Sequence, residues 1–256
     1  MLQLNYRVRK DGVPILKDKE IDDDAEFILA QYDKTLLTDP HPLDVEDITE
    51  RFLGFNIHYE NLSNNGCIWG CMVFNNRRIL VYDPENNDID YHPVDANTVV
   101  VDNTLLDESN EYVFRSTMIH ECGHGLYHGQ LFRENDNQLS LFPEKSEEKI
   151  AVSVCRSSDI QGNGRHELVS THDWIEHHAK YFSAAMLMPK SAMHIICGDK
   201  SMRENLSKLA PGYELSILAS RVSDTFNVSP TSAKIRIIQL GYGFEENKQN
   251  TLFTIE

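Results

Sequence analysis

An α+β fold, with a small mixed or antiparallel sheet packed against one central helix and further helices, is what this sequence predicts. Two observations carry that expectation. Short runs rich in β-branched and aromatic residues (Phe55–Tyr59, Cys67–Phe74, Arg78–Tyr82, Thr98–Val101) precede a helical pattern from Asn110 to Gly129, and helical patterns dominate after Ser170. With 256 residues, 41% of them apolar, the chain is long enough to bury a substantial core.

In chain order, Asp22 to Leu37 reads as a helix with an acidic first turn, and Asp44 to Leu53 as a second, capped by Asp44 and closed by Gly54. The runs Cys67–Phe74 and Arg78–Tyr82 flank Asn75-Asn76-Arg77 and suggest a hairpin. Asp83 to Asn97 is polar, with Pro84 and Pro93, and reads as loop. Phe142–Lys149 and Arg156–Arg165 lack either period, so the stretch 130–169 reads as a long surface connector or flap. Ser170 or Thr171 caps a helix that Pro189 ends. The last pair, Leu215–Phe226 and Pro230–Leu240, is joined by Asn227-Val228-Ser229, with Ser229 as N-cap, Pro230 at the first helical position and Gly241 past the end. A helix, a tight turn and a helix invite a DNA-binding reading. The second helix carries only Lys234 and Arg236 as basic residues, so packing within the fold is the better account. These segments divide one domain, 1–256, into N-terminal helices and sheet (1–109), a central helix (110–129), a connector (130–169), a second helix (170–188) and C-terminal helices (189–245).

Charge and cysteine usage narrow the classes. Lys and Arg total 24 against 40 Asp and Glu, a formal charge of −16, which argues against direct nucleic-acid binding or an anionic membrane surface. There is no signal-peptide core at the N-terminus and no apolar run long enough to span a bilayer. Five cysteines, at 67, 71, 122, 155 and 197, do not make a disulfide framework, and the cytoplasm is the expected compartment. Cys67 and Cys71, four apart in a predicted strand, read as core packing on one face rather than a metal clip.

The chemistry concentrates in His120-Glu121-Cys122-Gly123-His124. On a helix, H-E-x-x-H sets two imidazoles one turn apart on the same face, where both can reach one Zn²⁺, with Glu121 placed to act as a general base. Asn110 is the expected N-cap of this amphipathic helix, Phe114, Met118, Cys122 and Leu126 its apolar stripe, and Gly129 its left-handed end. His128 lies two turns beyond His120, roughly 12 Å along the axis. It is expected to be a hydrogen-bonding residue at the helix end and not a ligand. The third ligand must come from elsewhere. Glu176, beside the stripe Ile175, Ala179, Phe182 and Met186, is the best donor; the spacing equally allows an ordinary surface carboxylate. The small residues Ala179, Ser183 and Ala184 would permit close approach of the two helices. His177, His178 and Tyr181 are candidate donors to a developing oxyanion because they lie near Glu176.

His-Glu-Cys-Gly-His followed by Glu176-x-x-Ala179-x-x-Phe182-x-Ala184-x-x-Leu187-Met188-Pro189 resembles the ImmA/IrrE family of bacterial metallo-endopeptidases. The similarity takes in Val99–Asp102 and Arg115–Ile119 upstream, and Phe226–Ser229 and Leu240-Gly241 downstream, so it covers the chain from about residue 20 to 245. The resemblance implies a zincin-like metallopeptidase fold, one Zn²⁺ held by His120, His124 and Glu176, and Glu121 as general base. It implies a protein substrate too, a helix-turn-helix transcriptional repressor encoded beside the enzyme in a mobile element or stress circuit. No match to the family's additional N-terminal helix-turn-helix domain is present. Two positions depart from the family pattern: Lys180 stands where Asn or Asp is usual, and Ser116 where an aromatic is common. A cation at 180 must swing away from the ion. The alternative function is a non-catalytic zinc-containing module that senses or sequesters a partner protein.

Overall fold

Val99, Val100 and Val101 are wholly buried because their strand, β5 (Thr98–Asp102), has neighbours on both edges and on both faces. The computed structural model of the chain describes residues 4, 6–134, 152–156, 168, 170–206, 208 and 213–243. β5 runs parallel to β1 (Asn56–Glu60) and antiparallel to β2 (Ile68–Val73), and β2 pairs antiparallel with β6 (Val152–Arg156). The result is a mixed four-stranded sheet in the order β1-β5-β2-β6.

Alternation along β2 sends its residues to two different partners. Gly70 and Met72 face the helix α4 (Glu111–Tyr127), where a Cβ built on Gly70 would meet Thr117 and one on Gly125 would meet Met72. Cys71 and Val73 turn the other way, into a core shared with Val100 and with Ile79, Val81 and Val94 of a separate hairpin. That hairpin joins β3 (Arg77–Asp83) to β4 (Asp88–Val94). The expected hairpin between Cys67–Phe74 and Arg78–Tyr82 is therefore not formed: β2 pairs within the large sheet and β3 with β4. The expected loop Asp83–Asn97 contains β4. A two-stranded ribbon has two open edges, the setting in which a strand tolerates proline, here Pro93. Asp83 Oδ1 accepts from the Glu85 and Asn86 backbone N–H groups (2.9 and 3.3 Å), and Asn87 takes φ 51°, which turns the chain back. Cys67 precedes β2, so it does not share a strand face with buried Cys71.

The chain divides into two compact units, one of Met1–Asp18 with Asp44–Ser183 and one of Lys19–Leu43 with Ala184–Glu256. In the first, α3 (Val45–Asp47) continues as a π-helical stretch, Ile48–Leu53. Asp44 Oδ1 caps it from the Asp47 N–H at 3.0 Å, and Gly54 at φ 75° closes it, as the sequence leads one to expect. Asp102, buried at the end of β5, accepts from the Leu62 N–H (2.7 Å) and the Thr104 N–H (3.0 Å), pinning the turn that leads into α4. Glu60 Oε1 lies 2.9 Å from His58 Nε2 and 2.8 Å from His92 Nδ1, tying β1 to β4. α5 (Gly129–Glu134) and β6 fall inside the expected connector; Phe142–Lys149 and residues 157–165 lie outside the described residues. β6 lies between the two runs that lack a period, and the strand it pairs with, β2, is far away in sequence.

The described secondary structure of the second unit is helical. α1 runs Asp18–Tyr32, α2 Thr35–Thr38, α7 Lys190–Cys197, α8 Lys200–Leu206, α9 Tyr213–Phe226 and α10 Pro230–Gln239; the division between units falls within α6 (Thr171–Leu187), after Ser183. The single helix expected over Asp22–Leu37 is interrupted because Asp33 Oδ1 accepts from the Thr35 N–H and hydroxyl (2.9 and 2.7 Å) and starts a new turn. Ser229 accepts from the Ser232 N–H at 3.1 Å and Gly241 takes φ 77°, the expected ends of α10. Arg236 is fully buried: its Nη2 donates to Asp22 Oδ1 at 2.6 Å and its Nε to Met188 O at 3.2 Å. Among the described residues no helix is long and apolar enough to cross a membrane.

Removing one partner of a buried pair leaves an uncompensated charge. Asp22→Ala is expected to cost about 3–5 kcal/mol in chemical unfolding, and Asp22→Leu with Arg236→Met to recover most of it. The His92–Glu60 contact makes a pH-dependent contribution. The carboxylate beside it raises the His92 pKa above 6.5, so its contribution is full below 6.5 and is lost as pH rises through the raised value. Burial pushes Glu60 up, but hydrogen bonds from His92 and His58 outweigh it and hold it below 4.5; its contribution is full above 4.5 and is lost as pH falls through the lowered value. Wild type should therefore exceed His92→Gln in stability most clearly between pH 4.5 and 6.5, and the gap should close at alkaline pH in thermal unfolding.

Candidate metal centre

α4 is buried almost all round between Arg115 and Gly125, rather than on one face as an amphipathic helix would be. Its histidine stripe does not meet solvent; it meets α6. Asn110 takes the N-cap position, but its amide donates to Thr104 O (2.8 Å) and makes no capping bond. Gly129 is not left-handed, since α5 begins there and the chain carries on as helix.

α6 is started by reciprocal bonds: the Asp173 N–H donates to Ser170 Oγ (3.1 Å) and the Ser170 N–H to Asp173 Oδ2 (2.7 Å). Ile175, Ala179, Phe182 and Met186 are buried, as their spacing predicts. The helices close on each other at Gly123, where an added Cβ would lie 3.1 Å from Ala179 Cα and from Phe182 Cδ1. Ser183 Oγ donates to Ser116 O at 3.0 Å, one turn along. The N-terminal segment up to the first residue of α1, which the sequence pattern does not single out, braces the same helix: the Thr171 hydroxyl donates to Asp11 (2.8 Å), His177 Nε2 bonds Asp18 (2.7 Å), and the Arg9 guanidinium lies 5.8 Å from the Trp174 ring centre.

This packing brings His120, His124 and Glu176 together, all buried, with one ligand atom from each within 4.8 Å of the others. His120 Nε2 and His124 Nε2 are 3.0 Å apart; Glu176 Oε2 is 3.5 Å from the first and Oε1 3.3 Å from the second. Donors on a tetrahedral Zn²⁺ at 2.0–2.1 Å are separated by about 3.3 Å, so the three atoms already have the spacing of one face of such a shell. Among the described residues neither oxygen of Glu176 receives a hydrogen bond, although both are buried. Buried acceptors left in this state are what a cation satisfies. The cluster can hold a metal ion, and among the described residues no fourth His, Cys, Asp or Glu joins it.

Protonation states suit that use. Burial, helped by His124, pulls the His120 pKa down to about 3, leaving a neutral ring. Burial alone would raise Glu176, but the imidazoles beside it draw its carboxyl down to about 2, so it is anionic. Lys180 is exposed, and its charge makes only the smallest contribution to both shifts. Glu121 is fully buried, with its stem over Gly70. Cys122 takes no part: its sulfur lies 3.3 Å from Thr49 Oγ1, and burial pushes the thiol up to about 12.

The remaining candidates are placed elsewhere. His128 is fully buried, and its Nδ1 lies 3.1 Å from Nδ1 of His124, on the side away from Glu176. It is a hydrogen-bonding residue, as expected, but an interior one. His178 Nδ1 is 3.4 Å from His128 Nε2, and His177 is engaged by Asp18, so both rings have partners outside the cluster; Tyr181 is buried beside His177. Burial lowers His128 well below its ordinary value and His178 to about 4, keeping both rings neutral. Gly70 is the residue that motif reading misses, since nothing local marks a strand glycine as the floor beneath a helix carboxylate.

Compared with known proteins, the chain matches no protein-family model and no curated protein. Fold and site together define an α+β protein with a buried His-His-Glu cluster able to bind a metal.

A Cβ at Gly70 would lie 2.7 Å from Thr117 Cγ2 and 3.1 Å from Val100 O. Gly70→Ala is accordingly expected to destabilise by about 1–3 kcal/mol in urea unfolding, the usual cost of overpacking. An unchanged midpoint would mean that β2 and α4 part without strain.

Proposed function

We propose that this chain is a zinc-dependent endopeptidase acting on a protein substrate, by site-specific cleavage of a helix-turn-helix transcriptional repressor. The observation that carries the hydrolase reading is the three-donor cluster with Glu121, a buried carboxylate, next in the chain to one of its members. The family resemblance of the paired motifs supports the choice of zinc and supplies the repressor as substrate. The cytoplasm is the proposed compartment.

His120 Nε2, His124 Nε2 and a Glu176 oxygen would hold the ion. When bound, zinc supplies a Lewis acid that polarises the scissile carbonyl and makes a water acidic near neutral pH. Glu121 accepts that water's proton at its carboxylate and returns it to the departing amine nitrogen. Its full burial, with its stem against β2 at Gly70, keeps competing solvent away from the carboxylate. Of the two edge strands of the four-stranded sheet, β6 adjoins the strand that touches Glu121. An extended substrate segment would pair along that edge by backbone hydrogen bonds.

One observation favours a second reading, a non-catalytic zinc-containing module that sequesters or senses a partner. His120, Glu121, His124 and Glu176 are all 5% exposed or less, the closure typical of structural metal sites. One experiment separates the two. Wild type and Glu121→Gln are purified, their bound metal is measured, and each is co-expressed with repressors encoded nearby. The peptidase reading predicts equal metal content and a fall in cleavage of about 10²–10⁴-fold in Glu121→Gln. Metal in both proteins with cleavage by neither supports the module. Glu176→Gln should lose metal affinity whichever reading holds.

A further inference from the structure

A row of imidazoles leads away from the cluster into the protein. His124 Nδ1 meets His128 Nδ1 at 3.1 Å, and His128 Nε2 meets His178 Nδ1 at 3.4 Å. All three rings are buried, and those of His128 and His178 have centroids 5.7 Å apart and planes within 13° of parallel. His178 sits on α6, two residues from Glu176, so that helix presents both a member of the cluster and the end of the row. Tyr127 and Trp174 flank its ring at 6.4 and 6.1 Å between centroids.

A neutral imidazole has one N–H and one lone pair, so every contact in the row needs a donor facing an acceptor. Two polarities satisfy it. In the first, His124 carries its proton on Nδ1 and donates to His128 Nδ1; His128 then carries its proton on Nε2 and donates to His178 Nδ1, whose own proton rests on Nε2. The lone pair of His124 Nε2 is then free to face a cation. In the reverse polarity His124 carries its proton on Nε2, the atom 3.0 Å from His120 Nε2, and cannot ligate. Binding at His124 therefore selects a single tautomer for three residues at once.

We propose that His128 and His178 are positioning residues for the metal site, a directional pair of neutral imidazoles that fixes the ring and tautomer of His124. The inference rests on the metal-binding reading above. Where a carboxylate commonly receives the proton of a ligating histidine, this chain uses an imidazole. That choice holds the ring without adding negative charge, so two neutral histidines and one carboxylate leave a bound divalent ion with a net charge of +1 and its full pull on a water.

The test measures zinc affinity by competition with a chromophoric chelator, on the full chain, with circular dichroism as the check on folding. His128→Phe, which keeps a buried ring but offers no acceptor, should bind zinc about 10–100-fold more weakly than wild type. His128→Asn, whose side-chain oxygen can accept in place of Nδ1, should recover part of that loss, and His178→Phe should show a smaller one. A second measurement needs no variant. Nitrogen-15 correlation spectra of the imidazoles in zinc-loaded wild type should place protons on His124 Nδ1, His128 Nε2 and His178 Nε2. Wild-type affinity in a folded His128→Phe, or a proton on Nδ1 of His128 in the zinc-loaded protein, overturns the proposal while leaving the metal site intact. Wild type that binds no zinc overturns the metal reading and this inference with it.

Discussion

The approach of α4 to α6 at Gly123 and Ala179 is the contact on which the site depends. Glu176 lies fifty-two residues beyond His124, on a helix with no local reason to find it. What sets its distance is the absence of a side chain at 123, where even a methyl group would press to 3.1 Å on the Ala179 backbone. The Ser183 hydroxyl bonded to Ser116 O at 3.0 Å holds the same pair of helices one turn further along. Because the donor atoms stand only 3.0–3.5 Å apart, a shift of an ångström between the helices would take Glu176 out of reach of an ion held by the histidines. Close packing is here a condition of the chemistry as well as of stability.

The surroundings of that contact are costly in a way that points to use. An anionic carboxylate and a row of imidazoles are enclosed in a mainly apolar interior. Burying polar groups without full partners disfavours folding, and stability alone would be served better by apolar residues. Groups retained at such a cost are usually retained for function. The same burial keeps the rings of His120, His128 and His178 neutral, the form in which imidazole binds a metal.

The sheet is the platform for this arrangement. β2 gives one face to α4, with Gly70 beneath Glu121, and the other to the β3–β4 hairpin through Cys71 and Val73. Glu60, held by His58 and His92, fastens β1 to the hairpin, so the sheet is tied at its edge as well as through its core. Helix, sheet and hairpin form layers with the metal cluster on the helix side, where α6 completes it. In the second unit the buried Arg236–Asp22 pair links helices α10 and α1 in the same manner, with a charge satisfied by its opposite and by the Met188 carbonyl.

What the sequence determined by itself is what neighbouring residues settle among themselves. The one-turn spacing of His120 and His124, the caps at Asp44, Ser170 and Ser229, the left-handed closures at Gly54 and Gly241, and the buried stripe of α6 all depend on contacts a few residues apart. Tertiary structure decided the rest. It paired β2 with β5 and β6 in place of the adjacent β3, made a strand of the proline-containing segment Asp88–Val94, and carried the helix on through Gly129. It drew His128 and His178, fifty residues apart, into one buried row. Backbone ladders and buried donor–acceptor pairs are satisfied by whichever partner packing brings near, and a linear pattern holds no record of that partner.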